Sequence, residues 1–473
     1  MKELLDIQKR YGRIDKDSRN DLLEKQSFNI FLFSEEPIDK LINGIYPWEL
    51  NNLFTLSLFT ENWKSDKYTY ADLSRDVNNL RKSFDFRLNE NAQRWILIYL
   101  STQQFSYQIN RFILMYRCNY YFNYIDSSFN LKELFLKKYN CEYFEFCKFL
   151  TIYSLLSETQ PDLNKNNKEL IKIINNEFSK VVSQLTISLQ ELKDDYNNLQ
   201  INITKGTNNY SVLIQKPIVT EDKEVLITSY HNFVQACTTS LIYRMTLNNK
   251  ELRESIGKKV KESYLFHITS TNPVFTKVVN EKEYEKGKLT PDVMATDGKT
   301  IILIKSKSYS PKIRLRDFDD EVYEEQINKI VKYVSQIYEH CRYYFGNKYN
   351  YLDIDIDEGR NNIYGLVVVE ENPYFDYREV YKRVSDKVGI KDNELEYDWL
   401  TKHIGVVDTY AYERFVLSKR INFSTLSKRD RYDVWLNNIK IDGKKHDSVD
   451  GFSNFYNRLL NDSMDTIKKI FHN

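Results

Sequence analysis

Residues 291–307 read PDVMATDGKTIILIKSK, and this stretch decides how the second half of the chain is interpreted. An apolar run at 293–295 is followed by Asp297-Gly298, a dipeptide typical of two-residue β-hairpin turns. A second apolar run at 300–304 follows and ends at Lys305. The pattern therefore predicts two antiparallel strands that are joined by a tight turn.

A two-residue turn at Asp297-Gly298 would set the register of this hairpin. Position 296 would then pair with 299, 294 with 301 and 292 with 303, so that Asp292 faces Leu303 across the ladder. Lys305 would lie two residues further along the same face. Carboxylates at both 292 and 303, beside Lys305, would form a magnesium site for hydrolysis. Position 303 is leucine, so one ligand of that site is missing.

Length and composition predict a folded, soluble, multidomain protein. The chain has 473 residues, which is enough for two or three domains. Tyr (36) and Phe (27) are abundant whereas Gly (13) and Pro (8) are scarce, and this balance favours long helices. A net charge of +1 does not indicate nucleic-acid binding by the chain as a whole, so any basic surface must be local.

The cysteines and the apolar segments indicate a cytoplasmic location. Five cysteines without CxxC spacing are typical of reduced, buried thiols in the cytosol. The N-terminal segment is charged and has no apolar core, so we expect no signal peptide. No stretch reaches the length of a membrane span, and we expect no membrane partner.

Residues 1–247 are predicted to form a mainly helical N-terminal domain with a sensing, partner-binding or dimer-forming role. Leu170–Leu199 has apolar residues at a spacing near 3.5, which suits one long amphipathic helix. Tyr210–Gln215 is predicted to be a short strand, and 230–246 a helix. The aromatic residues of 91–124 favour core packing over a base-stacking platform.

Residues 248–473 are predicted to form an α/β (α+β) domain with one mixed sheet flanked by helices. The predicted elements are a helix at 251–264, an extended segment at 274–279, the hairpin, a helix at 319–343, strands at 363–369 and 404–407, and a helix from about 411. No repeat of solenoid period is visible.

The chemistry of the hairpin would suit phosphodiester hydrolysis. That reaction needs a positioned water, a Lewis acid on the phosphate and stabilisation of the developing charge. Mg²⁺ prefers carboxylate oxygens, and a lysine beside them can orient or deprotonate water. The following loop adds candidate nucleic-acid-binding residues, three of which alternate along the chain: Lys307, Lys312, Arg314 and Arg316. The alternative for this basic run is an ordinary solvated loop.

Residues 248–415 resemble the PD-(D/E)xK nuclease superfamily, which has the restriction-endonuclease-like fold. The similarity consists of a helix with Glu254 and Glu262, the hairpin with Pro291-Asp292, Lys305 in the second strand, and the later apolar strand GLVVVEE. The resemblance implies that Asp292 binds Mg²⁺ or Mn²⁺ and that Lys305 serves the water. It also implies that a glutamate of the preceding helix, Glu262 or Glu254, joins the site.

Leu303 departs from the family pattern, and three interpretations stay open. A carboxylate can come from a helix, with Glu254, Glu262, Glu324 and Glu325 as candidates. Alternatively, the domain is a catalytically inactive nuclease fold that serves as a nucleic-acid-binding or complex-assembly subunit. In the third interpretation the resemblance is accidental, and Ile301–Ile304 is simply a buried central strand.

The sequence-based prediction is a metal-dependent nuclease that acts on nucleic acid, with DNA as the expected substrate. An unfamiliar helical module joined to such a domain would suit a bacterial antiphage-defence or mobile-element effector. No phosphate-binding GxxxxGK[ST] loop, HExxH helix or GxSxG elbow occurs in the sequence to suggest another chemistry.

Overall fold

A computed structural model describes residues 110–159, 174–198, 210–221, 224–227, 230–312, 315, 319–354, 360–371, 375–390, 393–418 and 449–472, with Leu53, Arg75, Asp76, Asn79, Trp95 and Ile98. The chain forms two compact units. The first comprises Met1–Arg87, Glu133–Met245 and Leu459–Asn473, and the second comprises Leu88–Lys132 and Thr246–Arg458. One boundary between the units, at Met245/Thr246, lies next to the predicted boundary at 247/248. The second unit also contains Leu88–Lys132, which the sequence had placed in the N-terminal domain, and the first unit contains Leu459–Asn473.

Fifteen α-helices lie in the described part of the chain. They are α1 (Arg111–Phe122), α2 (Leu131–Tyr139), α3 (Tyr143–Thr159), α4 (Ser179–Leu185), α5 (Leu189–Asn198), α6 (Tyr210–Leu213), α7 (Tyr230–Ala236), α8 (Thr239–Thr246), α9 (Lys250–Ser255), α10 (Glu262–Ser270), α11 (Asp320–Phe345), α12 (Tyr377–Val388), α13 (Glu394–His403), α14 (Thr409–Val416) and α15 (Asp450–His472). A π-helical segment, Ile256–Lys261, connects α9 directly to α10.

The described strands form three sheets. They are β1 (Thr186–Ser188), β2 (Ile218–Glu221), β3 (Glu224–Ile227), β4 (Lys277–Asn280), β5 (Glu283–Glu285), β6 (Lys288–Leu289), β7 (Val293–Thr296), β8 (Ile301–Lys307), β9 (Ile363–Val369) and β10 (Ile404–Asp408). The sheet orders are β1-β2-β3, β10-β9-β8-β7-β4 and β5-β6.

The second unit is built on the five-stranded sheet. Strands β8, β9 and β10 are parallel, whereas β7 is antiparallel to both β8 and β4. The predicted mixed α/β architecture is therefore confirmed. Every residue of β7 and the first four of β8 are buried, as expected for a sheet that is covered on both faces.

Helix α11 packs on this sheet against β8 and β9. It begins at Asp319, whose side chain accepts a hydrogen bond from the amide of Val322 at 3.0 Å, as an N-cap does. Opposite the helix, Gly365 allows the backbone of β9 to come close. A Cβ at this position would lie 2.9 Å from Sγ of Cys341 and 3.0 Å from Cγ1 of Ile337. The glycine therefore fixes how closely α11 can approach the strand.

The β7–β8 hairpin exists, but its predicted register is wrong. Four residues, 297–300, connect the strands, and Met294 pairs with Leu303. The wider turn forms because Oδ1 of Asp297 accepts hydrogen bonds from the amides of Lys299 at 2.9 Å and Thr300 at 2.6 Å. If this register is continued by one residue beyond β7, Asp292 lies opposite Lys305. Leu303 therefore does not face Asp292.

The first unit contains a sheet that the sequence had not predicted. The predicted helix Leu170–Leu199 is interrupted by β1, which pairs in parallel with β2 through Ile187 and Val219. The predicted strand Tyr210–Gln215 is also wrong, because Tyr210–Leu213 is helical.

A capping box explains the interruption of this predicted helix. The Oγ of Ser188 accepts from the amide of Glu191 at 3.2 Å, and Oε2 of Glu191 accepts from the amide of Ser188 at 3.0 Å. Helix α5 therefore begins afresh after β1. The apolar repeat continues across two helices, and a periodicity analysis does not detect a strand of three residues between them.

The aromatic residues of α1 serve core packing. Tyr116, Tyr121 and Phe122 are buried, and Tyr121 packs edge-on against Tyr264 with ring centroids 5.4 Å apart. The five cysteines are buried and form no disulfide bonds, as their spacing predicts. Among the described residues, no helix is both long enough and apolar enough to cross a membrane.

Candidate functional site

Three side chains form a row at one end of the five-stranded sheet. Glu281 follows β4, Asp292 precedes β7 and Lys305 lies in β8. The amide of Glu281 donates to the carbonyl of Asp292 at 3.0 Å, which continues the β4–β7 ladder by one residue. The long side chains of Glu281 and Lys305 reach over the shorter Asp292. Consequently, Lys305 Nζ lies 3.2 Å from Oε1 of Glu281 and 2.5 Å from Oδ1 of Asp292.

Asp292 is the most enclosed member of this row, and its side chain is 3% exposed. Its second oxygen, Oδ2, accepts a hydrogen bond from the backbone amide of Ser306 at 2.5 Å. Burial raises the pKa of Asp292, although Lys305 and the Ser306 amide oppose this effect. Despite its own burial, Lys305 has a raised pKa because both carboxylates stabilise its charge. The lysine is therefore held as an ammonium.

Glu262 is the fourth member of the site and comes from a helix. It is half-buried at the start of α10, directly after the π-helical segment. Burial raises the pKa of Glu262 to about 8, and the charges of Asp292 and Glu281 add to this effect. Lys305 and Lys258 lower it in part. The charges of Asp292, Glu281 and Lys305 therefore act on the pKa of Glu262.

The π-helical segment packs closely against the end of β8. A Cβ at Gly257 would overlap the hydroxyl of Ser308, so a larger residue at 257 would displace that side chain. Single π turns within α-helices occur often at functional sites. Here the π turn directly precedes Glu262 and packs beside the sheet.

Glu254, the other helix glutamate named from the sequence, lies elsewhere. Its side chain is 67% exposed and forms an ion pair with Lys250 at 3.7 Å. Glu254 and Glu262 are eight positions apart in one run of helix, which corresponds to roughly 12 Å along the axis. The structure thus pairs Lys305 with Asp292 and places Glu262 within reach of their charges, but it does not bring Glu254 to them.

The two glutamates of α11 that the sequence named as candidates, Glu324 and Glu325, are engaged in other ion pairs. Glu324 binds Arg383 with an Oε2–Nη1 distance of 2.7 Å. Glu325 lies between Lys312 and Lys329, at 2.5 Å and 2.7 Å. Neither carboxylate takes the place that Leu303 leaves.

Leu303 itself belongs to the core. It is fully buried, with 0% of its surface exposed, and it lies between Met294 on β7 and Gly365 on β9. Ile301–Ile304 is therefore a buried central strand, and this part of the third interpretation is correct. The site nevertheless lies at the end of that same strand, because Lys305 follows two residues later.

Of the four predicted nucleic-acid-binding residues, Lys307 and Lys312 lie within the described part of the chain. Lys307 is half-buried, and its Nζ lies 5.2 Å from the centroid of the Tyr333 ring. Lys312 is 50% exposed and is paired with Glu325. Arg314 and Arg316 lie outside the described residues.

Glu281 is the member that sequence reasoning missed. The predicted extended segment ended at 279, and an acidic residue two positions later carries no motif of its own. Glu281 could have been identified as an acidic residue at the end of a strand next to the hairpin. Only the β4–β7 register, in which Asn280 pairs with Val293, sets it beside Asp292.

The donor set of the site suits a hard cation. Three carboxylates and one ammonium carry a formal charge of −2 when all are ionised, and carboxylate oxygens are the ligands that Mg²⁺ prefers. In the described part of the chain, no three His, Cys, Asp or Glu side chains are grouped closely enough to enclose a metal. Mg²⁺ commonly uses only one or two protein carboxylates and keeps several waters, so an open arrangement fits this ion.

No protein-family model, curated protein or solved structure matches this chain.

Proposed function

We propose that this protein is a metal-dependent nuclease with a restriction-endonuclease-like second unit. The observation that carries the proposal is the pairing of Lys305 with both Asp292 and Glu281 at the end of the β7–β8 hairpin. The charges of these three residues also act on the pKa of Glu262. Asp292 and Glu262 would hold Mg²⁺ or Mn²⁺. Glu281 would supply the carboxylate that Leu303 cannot provide.

Each residue has a defined part in phosphodiester hydrolysis. A bound Mg²⁺ supplies a Lewis acid for the phosphate and lowers the pKa of its water. Because its pKa is raised, Lys305 acts as an ammonium that orients the water and stabilises developing negative charge. The water oxygen forms the new bond to phosphorus and gives up a proton to solvent. The bond to the leaving oxygen breaks, and that oxygen takes up a proton from solvent.

The substrate would be nucleic acid, and DNA is the first candidate. Lys307 lies at the end of the strand that carries Lys305, and Lys312 is exposed in the loop that follows. With Arg314 and Arg316, these side chains would contact phosphates on either side of the scissile bond. A cytoplasmic antiphage-defence or mobile-element effector, with a partner or second copy bound by the first unit, would suit such an enzyme.

The proposal is tested by incubating the protein with plasmid DNA, single-stranded DNA and RNA in Mg²⁺, Mn²⁺ or EDTA. We expect cleavage that requires the metal and is lost in Asp292→Asn and Lys305→Ala. Glu262→Gln should lower the rate, whereas the matched change Glu254→Gln at an exposed position should not. Binding without cleavage in all metal conditions would contradict the proposal.

A second function is favoured by one observation. The ammonium of Lys305 already pairs with Asp292 and Glu281, and position 303 is apolar, so the charges of the row are partly balanced without a metal. An inactive nuclease fold that serves as a nucleic-acid-binding or complex-assembly subunit would have this arrangement. Chelator-insensitive binding without cleavage is the result that favours it.

A further inference from the structure

A network of four charged side chains, three of them buried, lies beside the candidate site. Arg117 of α1 binds Glu413 of α14 through two hydrogen bonds, Nε to Oε1 at 2.7 Å and Nη2 to Oε2 at 2.6 Å. Its Nη1 also lies 3.3 Å from Oε1 of Glu370, directly after β9. Tyr264 of α10 donates to Oε1 of Glu413 at 2.6 Å. The network thus joins three helices and the end of a strand.

Lys261, the fourth charged member, connects this network to the site. Its Nζ lies 3.1 Å from Oε2 of Glu370 and donates to the carbonyl of Lys307 at 2.9 Å. Lys261 directly precedes Glu262, and Lys307 lies two residues after Lys305. The ammonium of Lys261 therefore links the segment that carries Glu262 to the strand that carries Lys305.

The formal charges of the network balance, with two cations and two carboxylates. Burial lowers the pKa of Lys261 and raises the pKa of Glu413, so burial opposes the charged form of both side chains. Arg117, Lys261 and Glu413 are at most 3% exposed, whereas Glu370 is 25% exposed. Burial raises the pKa of Glu370, but Lys261 and Arg117 outweigh it and lower the pKa below its ordinary value. Buried ion pairs add little net stability compared with apolar side chains of similar volume, whereas their hydrogen bonds fix orientation. The network is therefore better suited to holding elements in place than to stabilising the fold.

We propose that Lys261 is a positioning residue for the candidate site. Through its bond to the carbonyl of Lys307, Lys261 fixes the distance between the start of α10, which carries Glu262, and the end of β8, which carries Lys305. Arg117 in turn fixes the position of Glu370, the carboxylate that pairs with Lys261. This role rests on the proposed nuclease function. A displacement of about 1 Å at a reacting centre can lower a rate on the order of a hundredfold.

The test compares Lys261→Met with Lys250→Met, a matched change at a lysine in the same run of helix that is 87% exposed. Cleavage of a DNA substrate is measured in Mn²⁺ at a temperature well below the Tm of each variant. We expect Lys261→Met to lower kcat at least tenfold with KM within about twofold, because substrate contacts are intact and the reacting groups are displaced. Lys250→Met should leave both constants unchanged.

Glu370→Gln provides a second variant in case Lys261→Met does not fold. It keeps the side-chain volume but removes the charge that attracts Lys261, and we expect it to lower kcat at least about threefold. An unchanged kcat in folded Lys261→Met would overturn the positioning role but not the proposed nuclease function. If Lys261→Met does not fold, an unchanged kcat in Glu370→Gln would have the same meaning. Absence of cleavage by the wild-type protein would overturn the proposed function, and this role with it.

Discussion

Nζ of Lys305 lies 2.5 Å from Oδ1 of Asp292 across the β7–β8 hairpin, on a sheet row that also contains Glu281. This pairing follows from a four-residue turn, which moves Leu303 opposite Met294. Position 303, where the resemblance led us to expect a second ligand, is thus part of the core, and the carboxylate that contacts Lys305 besides Asp292 comes from the end of β4.

A carboxylate at position 303 should destabilise the protein and should not raise its activity. Leu303 is fully buried, so Leu303→Glu places a charge in the core without a partner. We expect a loss of more than about 3 kcal/mol in the free energy of unfolding. Leu303→Met, which keeps the volume, should cost less than about 1.5 kcal/mol. Urea denaturation measures both, and a gain of cleavage in a folded Leu303→Glu variant would contradict the structure.

Glu281→Gln should weaken metal binding if Glu281 replaces the missing ligand. We expect the apparent Kd for Mn²⁺, measured by thermal-shift titration, to rise at least about tenfold. Glu254→Gln, at an exposed position, is the matched control and should bind Mn²⁺ as the wild-type protein does. Equal Mn²⁺ affinity in Glu281→Gln and the control would exclude Glu281 from the metal site.

Glu262 should make the metal-free protein less stable at alkaline pH. Its pKa is raised in the folded state from 4.5 to about 8. Its contribution is therefore fully present below pH 4.5 and is lost as the pH rises through about 8. Glu262→Gln removes the charge, so its Tm relative to wild type should increase as the pH is raised through this window in EDTA. A difference in Tm that stays constant across the window would contradict the raised pKa.

The turn of the hairpin should depend on the Asp297 side chain. Asp297→Ala removes the acceptor of two backbone amides, Lys299 and Thr300, and should cost about 1–2 kcal/mol of stability. Asp297→Asn keeps an acceptor oxygen and should cost less. Chemical denaturation distinguishes the two, and equal stability of Asp297→Ala and wild type would contradict the observed turn.

Much of the second unit could be predicted from local patterns. Strand β9 is found at the predicted residues, and α11 ends at Phe345, close to its predicted end at 343. These elements have continuous apolar runs or a clear helical period, and a cap residue marks the start of α11. The first unit was harder to predict, since a three-residue strand between two helices leaves no periodic signal.

The sequence by itself determined that Asp292 and Lys305 belong to the two arms of one hairpin, because the apolar runs and the turn residues between them specify it. Only the tertiary structure decided which side chains meet there. Register depends on the hydrogen bonds of one aspartate in the turn, and a shift in that register brings Lys305 instead of Leu303 opposite Asp292. Glu281 and Glu262 join the site through strand pairing and helix packing, which are contacts between segments that the order of residues alone does not reveal.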